Sequence, residues 1–266
     1  MAKLFKMKSI YADPIRYFFH TSVAETEISS NLGKKIEIRF SGKINCVHCD
    51  RSIKKTFSGG YCFPCSQDLA EADMCIVRPE TCHHHLGTCR DDSFAQKNCF
   101  IPHVIYVADS SALKVGITRS HNTLKRWVDQ GATKAIAFWQ VEQRKDAGEV
   151  EVFLKQFIGD KTNWRNMLKG VNAEEDIEFK RDELLEQCEA ADLPGEPFDA
   201  DELVEINFPV DQYPDKISSL NLDKTPVVSG VLEGIKGQYF LLDTGVINIR
   251  KYAGYDVELY IDGEKI

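Results

Sequence analysis

The sequence predicts an α+β protein made of small modules. These are a cysteine-rich module in the first half, a small α/β domain in the middle and a C-terminal small all-β barrel or sandwich. Three observations predict this. Eight of the nine cysteines fall between Cys46 and Cys99. Between residues 101 and 170 the apolar pattern moves from strand to helix period. From residue 226 onward, short apolar runs alternate with Gly-containing turns.

Residues 1–45 read as N-terminal strands, because Gly33-Lys34-Lys35-Ile36-Glu37-Ile38-Arg39-Phe40 alternates apolar and charged. Residues 46–100 carry many Gly, Pro and polar residues and little periodicity, so apolar burial alone does not hold them together. In 101–170, Val104-Ile105-Tyr106-Val107-Ala108 and Leu113-Lys114-Val115-Gly116-Ile117 flank Asp109-Ser110-Ser111 and predict a hairpin. A short helix is expected over 122–130, stopped by Gly131, then a strand over 135–141. Asp146 is expected to N-cap a helix reaching Ile158, with Val150, Phe153, Leu154, Phe157 and Ile158 on one face. Residues 171–205 read as an acidic helix and linker. Residues 206–266 read as the C-terminal small β domain, with strands over 226–232, 238–243, 245–249 and 255–261.

With 266 residues, 43% of them hydrophobic, the chain buries a sizeable core and is not disordered. No run approaches the ~18 consecutive apolar residues of a membrane span, so no membrane partner is expected. The first residues, Met1-Ala2-Lys3-Leu4-Phe5-Lys6-Met7-Lys8, have no following apolar stretch of the secretory kind, and a cytoplasmic location is expected. The net charge of −8 is unevenly spread. Residues 172–205 hold 14 acids against Lys180 and Arg181, or −12, which leaves +4 on the rest. A mildly basic body is compatible with nucleic acid, and the acidic stretch reads most simply as a solvated helix face.

Cys46-x2-Cys49-x12-Cys62-x2-Cys65 is the strongest motif. Two Cys-x-x-Cys knuckles supply four thiolates in the spacing that tetrahedral Zn(II) takes in zinc-ribbon-like modules, and such a closed site is structural. Redox use of one Cys-x-x-Cys is disfavoured by the doubled motif and by the lack of a surrounding βαβ pattern. Cys75, Cys82, Cys89 and Cys99 form a second set with irregular spacing, expected to hold a second zinc with His83 able to replace a Cys. Buried free thiols are the ordinary alternative, and Cys188 reads as a packing residue.

Val104-Ile105-Tyr106 followed by Lys114-Val115-Gly116 resembles the paired strand motifs of the GIY-YIG nuclease superfamily. The similarity continues through Leu124-Lys125-Arg126-Trp127 to Glu149-Val150-Glu151-Val152-Phe153-Leu154, about 60 residues in all. The whole chain also resembles a bacterial family of unassigned function. That likeness rests on Gly60-Tyr61-Cys62-Phe63-Pro64-Cys65, Gly87-Thr88-Cys89-Arg90, Lys114-Val115-Gly116-Ile117-Thr118-Arg119, Arg126-Trp127-Val128-Asp129-Gln130-Gly131-Ala132, Asp160-Lys161-Thr162-Asn163-Trp164 and Gly234-Ile235-Lys236-Gly237-Gln238-Tyr239.

The superfamily resemblance implies a GIY-YIG-like middle domain with Tyr106, Arg126 and Glu151 as catalytic residues. Tyr106 would position or deprotonate water, its pKa lowered by nearby cations. Arg126 would neutralise charge developing on the phosphate. Glu151 would hold a single Mg(II) or Mn(II). Lys114, Gly116 and Arg119 would contact the substrate phosphate, Gly116 by allowing close backbone approach. Lys114 stands where the superfamily usually has Tyr, and Val104 where it has Gly. Each residue also has an ordinary reading: Tyr106 as a strand aromatic, Arg126 as a surface residue, Glu151 as the partner of Lys155 four residues on. His103 is compatible with an acid–base role or a strand start, and Asn163-Trp164 with closing the cleft or with capping and packing.

At the C-terminal end, Lys236, Arg250 and Lys251 lie among Tyr239, Phe240, Tyr252 and Tyr255. Small barrels bind nucleic acid with such residues, and core packing explains the aromatics equally well. The expected function is therefore a zinc-stabilised, Mg-dependent nuclease acting on DNA or RNA. The alternative is a catalytically inactive nucleic-acid-binding or assembly protein. A zinc-dependent protein-interaction scaffold is a third reading.

Overall fold

The computed structural model describes residues 1–198 and 202–266, so Asp199 and Asp201 of the acidic segment lie outside the described residues. It is a mixed α+β structure with three sheets among the described residues. The chain divides into two compact units.

The first unit comprises Met1–Ser66, Leu168–Gly170 and Ile206–Ile266. The N- and C-terminal strands share one antiparallel sheet. Its order is Ala2–Lys3, Tyr255–Ile261, Lys35–Asn45, Val227–Lys236, Tyr239–Leu242 and Gly245–Asn248. The order runs edge to edge without closing, so the expected C-terminal barrel is instead part of an open sheet that needs an N-terminal strand. The predicted alternation sets the register. Ile36 and Ile38 are buried while Lys35 and Arg39 are exposed, and they pair with Ile261 and Leu259 on one side, Gly230 and Val228 on the other. Each buried aliphatic of this kind contributes ~1.5–3 kcal/mol. A smaller sheet of Lys8–Ile10, Arg16–His20 and Glu25–Glu27 places the Phe19 ring 6.1 Å from that of Phe240.

Three of the four C-terminal aromatics are core. Phe240, Tyr252 and Tyr255 are buried, and the Lys236 ammonium is buried 5.4 Å from the ring centres of Phe208 and Tyr213. Packing accounts for these positions, while Arg250 and Lys251 are exposed and Tyr239 is half-buried.

The second unit comprises Gln67–Met167 and Val171–Glu205. Its sheet runs Glu196–Pro197, Lys134–Val141, His103–Asp109, Leu113–Arg119, with Val204–Glu205 also paired to Lys134–Val141. The predicted hairpin forms in full, from His103↔Arg119 to Asp109↔Leu113. Strand alternation sorts its residues. Ile105, Val107, Leu113, Val115 and Ile117 join one apolar cluster with Val150 and Leu154 of helix Arg144–Leu154 and Leu184 and Cys188 of helix Ile177–Ala190. Tyr106, Lys114 and Gly116 point to the opposite face. Helix Thr123–Asp129 ends before Gly131, whose φ of 71° is left-handed.

Gln143, not Asp146, stands at the N-cap position of helix Arg144–Leu154, without a side-chain capping bond; Asp146 lies in the first turn and accepts from Gln143 Nε2 at 3.1 Å. The helix stops four residues short of Ile158. The acidic segment folds as helix Ile177–Ala190, with Asp176 accepting at its start from the N–H groups of Glu178 and Phe179, both at 2.9 Å. Its Ile177, Leu184 and Cys188 face the core and most of its carboxylates face water, as a solvated helix requires.

Candidate metal centre and charged cluster

Strand Lys35–Asn45 delivers Cys46 at its end, and Ser52–Ile53 returns to pair with it through Ile44↔Ile53 and Asn45↔Ser52. The knuckle between them closes by Cys46 N–H to Arg51 O at 2.9 Å and Asp50 N–H to Cys46 O at 3.1 Å. Asp50 takes a left-handed φ of 60° to make that turn. The second knuckle crosses the first at Gly60. A Cβ there would lie 2.7 Å from Val47 Cγ1, so only glycine permits the approach. Helix Phe63–Asp68 then carries Cys65 in its first turn.

The sulfurs of Cys46, Cys49, Cys62 and Cys65 all lie within 4.8 Å of one another. The Cys49 and Cys62 sulfurs are 3.7 Å apart. Zn–S bonds of about 2.3 Å in a tetrahedron give sulfur–sulfur edges of about 3.8 Å. Burial raises the Cys46 thiol, but the N–H groups of Cys49, Cys62 and His48 outweigh it and bring the thiol down to about 6. A thiolate is thereby favoured where a metal needs one. The cluster fits a structural zinc.

In the second unit the predicted residues from four elements meet. Tyr106 is fully buried, and its hydroxyl donates to Gln130 Oε1 at 2.9 Å beside the Arg126 guanidinium. Its ring crosses that of Trp127 edge-on at 5.8 Å. Burial dominates the phenol and raises its pKa despite Arg126, opposite to the lowering expected of a base. Gly116 sits directly across from Tyr106, and a Cβ on it would lie 2.6 Å from the phenol Cζ and oxygen. Gly116 makes room for the Tyr106 ring.

Lys114 is 4% exposed and donates to Thr162 Oγ1 at 2.7 Å. Burial, and then the neighbouring Arg126, lower its ammonium to about 8, against the opposing pull of Asp160 and Glu151. Glu151 lies at the edge of its helix's apolar stripe. Burial raises its pKa, while Lys155 works against that. Lys155 Nζ sits 3.3 Å from Glu151 and 3.2 Å from Asp160, so one ammonium bridges two carboxylates. Glu149, on the same helix, is exposed and paired with Lys145 at 3.0 Å. Arg119 lies further along its strand and donates to Asn98 Oδ1. His103 is buried, donates from Nδ1 to Ile101 O at 2.7 Å, and is lowered by burial to about 4, so it stays neutral near pH 7. Asn163 caps the following turn, accepting from Asn166 N–H at 3.3 Å.

Sequence reasoning missed Gln130, Thr162, Asp160 and Arg144. Arg144 opens its helix and is half-buried, within electrostatic reach of Arg119, Arg126, Cys99 and Cys75, with a buried Nε that has no hydrogen-bond partner. The Nε of Arg126 is likewise buried without a partner. Two such guanidinium N–H groups are unspent donors for an anion. Asp160 and Thr162 lie in a loop with no periodic signal, brought in by the bridge between Lys114 and Gly159.

Among the described residues no helix is long and apolar enough to cross a membrane. A family of proteins of unknown function, DUF2797, matches residues 33–257. No curated protein and no solved structure matches the chain.

Proposed function

As a member of the DUF2797 family, whose function is unknown, the chain has to be read from its own residues, and we propose that it hydrolyses phosphodiester bonds of DNA or RNA. One observation carries the proposal. Arg126 and Glu151 lie within electrostatic reach of each other and of both Tyr106 and Lys114, the four coming from four separate elements. The resemblance to the GIY-YIG superfamily runs through the same four positions.

In the proposed reaction, a water oxygen bonds to phosphorus, the bond from phosphorus to the leaving sugar oxygen breaks, and the water proton passes to a base. Lys114 suits that role better than Tyr106, because a group near 8 is partly neutral at the working pH while a raised phenol is not. Tyr106 then fixes Arg126 and Gln130. Arg126 turns its free N–H toward the non-bridging oxygens, where charge grows. The leaving oxygen takes its proton from solvent. Glu151 and Asp160 offer the one or two carboxylates that Mg(II) or Mn(II) takes, and that ion would supply Lewis-acid charge on the phosphate when bound. Lys155 now occupies the position between them.

The same ion pair favours a second reading. If Lys155 stays where a cation would sit, the protein binds nucleic acid without turnover. Glu151→Gln separates the two. Hydrolysis predicts that cleavage of mixed DNA and RNA in Mg(II) is lost in Glu151→Gln while binding persists. A binding protein predicts no product from either protein, and salt-dependent affinity weakened by Arg126→Ala.

A further inference from the structure

Residues 67–100 lack what usually holds a segment of chain. They consist of single turns at Ala70–Ala72, Met74–Ile76, Pro79–Thr81 and His84–Leu86, and the short helix Asp92–Asn98. Met74, Val77 and Leu86 point to solvent, each more than 60% exposed. A stretch of this length with so small an apolar core is normally held by disulfides or a metal. All four of its cysteines are free. They lie in or just after three successive turns and at the end of the short helix, yet all of them line one cavity. The Cys75 thiol is in electrostatic reach of Cys82 and Cys99, and Cys99 of Cys82 and Cys89.

We propose that this cavity is a second zinc site with Cys75, Cys82, Cys89 and Cys99 as its ligands, and that the metal holds helix Arg144–Leu154 in position. Four thiolates are the soft donor set that selects zinc. The ligand atoms that lie within 4.8 Å of one another here are those of Asp73, Cys75 and His83, not the four sulfurs together, so Cys82, Cys89 and Cys99 would have to close on the metal; Asp73 and His83 are committed elsewhere. Asp73 accepts from Arg90 Nε at 2.7 Å and from Cys75 N–H at 3.1 Å. The His83 ring meets Thr88 Oγ1 at 2.8 Å through Nδ1 and Asp73 at 3.5 Å through Nε2. They brace the loop around the thiols, as outer partners do at metal sites.

Contacts beside these cysteines reach the charged cluster. Arg144 donates from its side chain to Ile76 O at 2.6 Å, next to Cys75, and from its backbone to Cys99 O at 2.8 Å. Gly148 packs so closely on the turn before Cys82 that a Cβ would lie 2.6 Å from Glu80 N. Asn98, beside Cys99, accepts from Arg119. The helix fixed by these contacts carries Glu151. The zinc assignment stands independently of the nuclease reading, and only the use made of the positioned helix depends on it.

Native mass spectrometry of the full chain expressed with zinc is the test. Two zinc ions per chain are expected, one for each cysteine cluster, falling to one in Cys75→Ser and in Cys99→Ser and staying at two in His83→Ala. One zinc in the wild-type chain overturns the site, and that count stands even where a variant does not fold. Loss of a zinc in His83→Ala, or none in Cys75→Ser, overturns the ligand set. Hydrogen exchange reads the positioning. Amides of Arg144–Leu154 should exchange at least tenfold faster in Cys99→Ser, with the Cys46 cluster still loaded. Unchanged exchange there overturns the positioning role.

Discussion

Lys114→Met tests the electrostatics of the charged cluster without reference to any substrate. The native site lowers the Lys114 ammonium from 10.5 to about 8 through burial and Arg126. At about 1.4 kcal/mol per pKa unit, holding that charge costs the native state about 3 kcal/mol. Methionine fills nearly the same volume with no charge. It forfeits the hydrogen bond to Thr162, a loss of about 1 kcal/mol, although Thr162 keeps Ser110 as a partner at 2.9 Å. The net expectation at pH 7 is a gain of about 2 kcal/mol, or a rise in Tm of about 4–8 °C if the chain unfolds in one step. The sign follows from proton linkage. Between about 8 and 10.5 the unfolded chain keeps the Lys114 proton and the native one releases it, so wild-type stability gains with rising pH across that window. Below about 8 both states hold the proton and the cost is fully present. Thermal melts of wild type and Lys114→Met at pH 7 and pH 10 read this directly. The variant's advantage should be full at pH 7 and shrink by pH 10. A variant less stable than wild type at pH 7, or an advantage independent of pH, refutes the reasoning.

Gly116→Ala should destabilise by about 1–3 kcal/mol, as overpacking does, and should shift the near-ultraviolet signal of Tyr106, whose ring the new methyl strikes; unchanged melts would show that the ring moves freely. Leu184→Ala should cost about 2–5 kcal/mol in chemical denaturation if the acidic helix is truly part of the second core. Cys49→Ser should release the zinc bound at Cys46, Cys62 and Cys65, seen as one equivalent fewer by elemental analysis, whereas Cys188→Ser should leave metal content untouched. Tyr106→Phe should keep the fold but weaken nucleic-acid binding measurably, because Arg126 loses the hydroxyl beside it.

Elements with a clear period were legible in the sequence. The hairpin His103–Asp109 and Leu113–Arg119, the strand Lys35–Asn45 and the terminal strand Tyr255–Ile261 all form where alternation places them. The Cys46 cluster was legible because its spacing alone brings four sulfurs together. What was not legible is what depends on distant pairing. The C-terminal strands look like a separate barrel until Lys35–Asn45 is seen between Tyr255–Ile261 and Val227–Lys236. The superfamily resemblance marked Tyr106 and Gly116 as site residues, but only the register puts the phenol over the glycine. Helical phase left Glu149 and Glu151 at opposite edges of one stripe, and burial against Lys155 and Asp160 distinguishes them. Arg144 carries no local signal, since its burial comes from turns more than 60 residues earlier in the chain.

The central claim is that the cluster around Lys114, Arg126 and Glu151 is hydrolytic, and a single-turnover pH–rate profile tests it most directly. Labelled DNA and RNA oligonucleotides would be incubated with the zinc-loaded chain and Mg(II) from pH 6 to pH 10, beside Lys114→Met. The account predicts cleavage whose rate climbs with pH, levels off above about 8, and disappears in the variant. Tight binding with no product at any pH would contradict it, as would a wild-type profile that Lys114→Met reproduces.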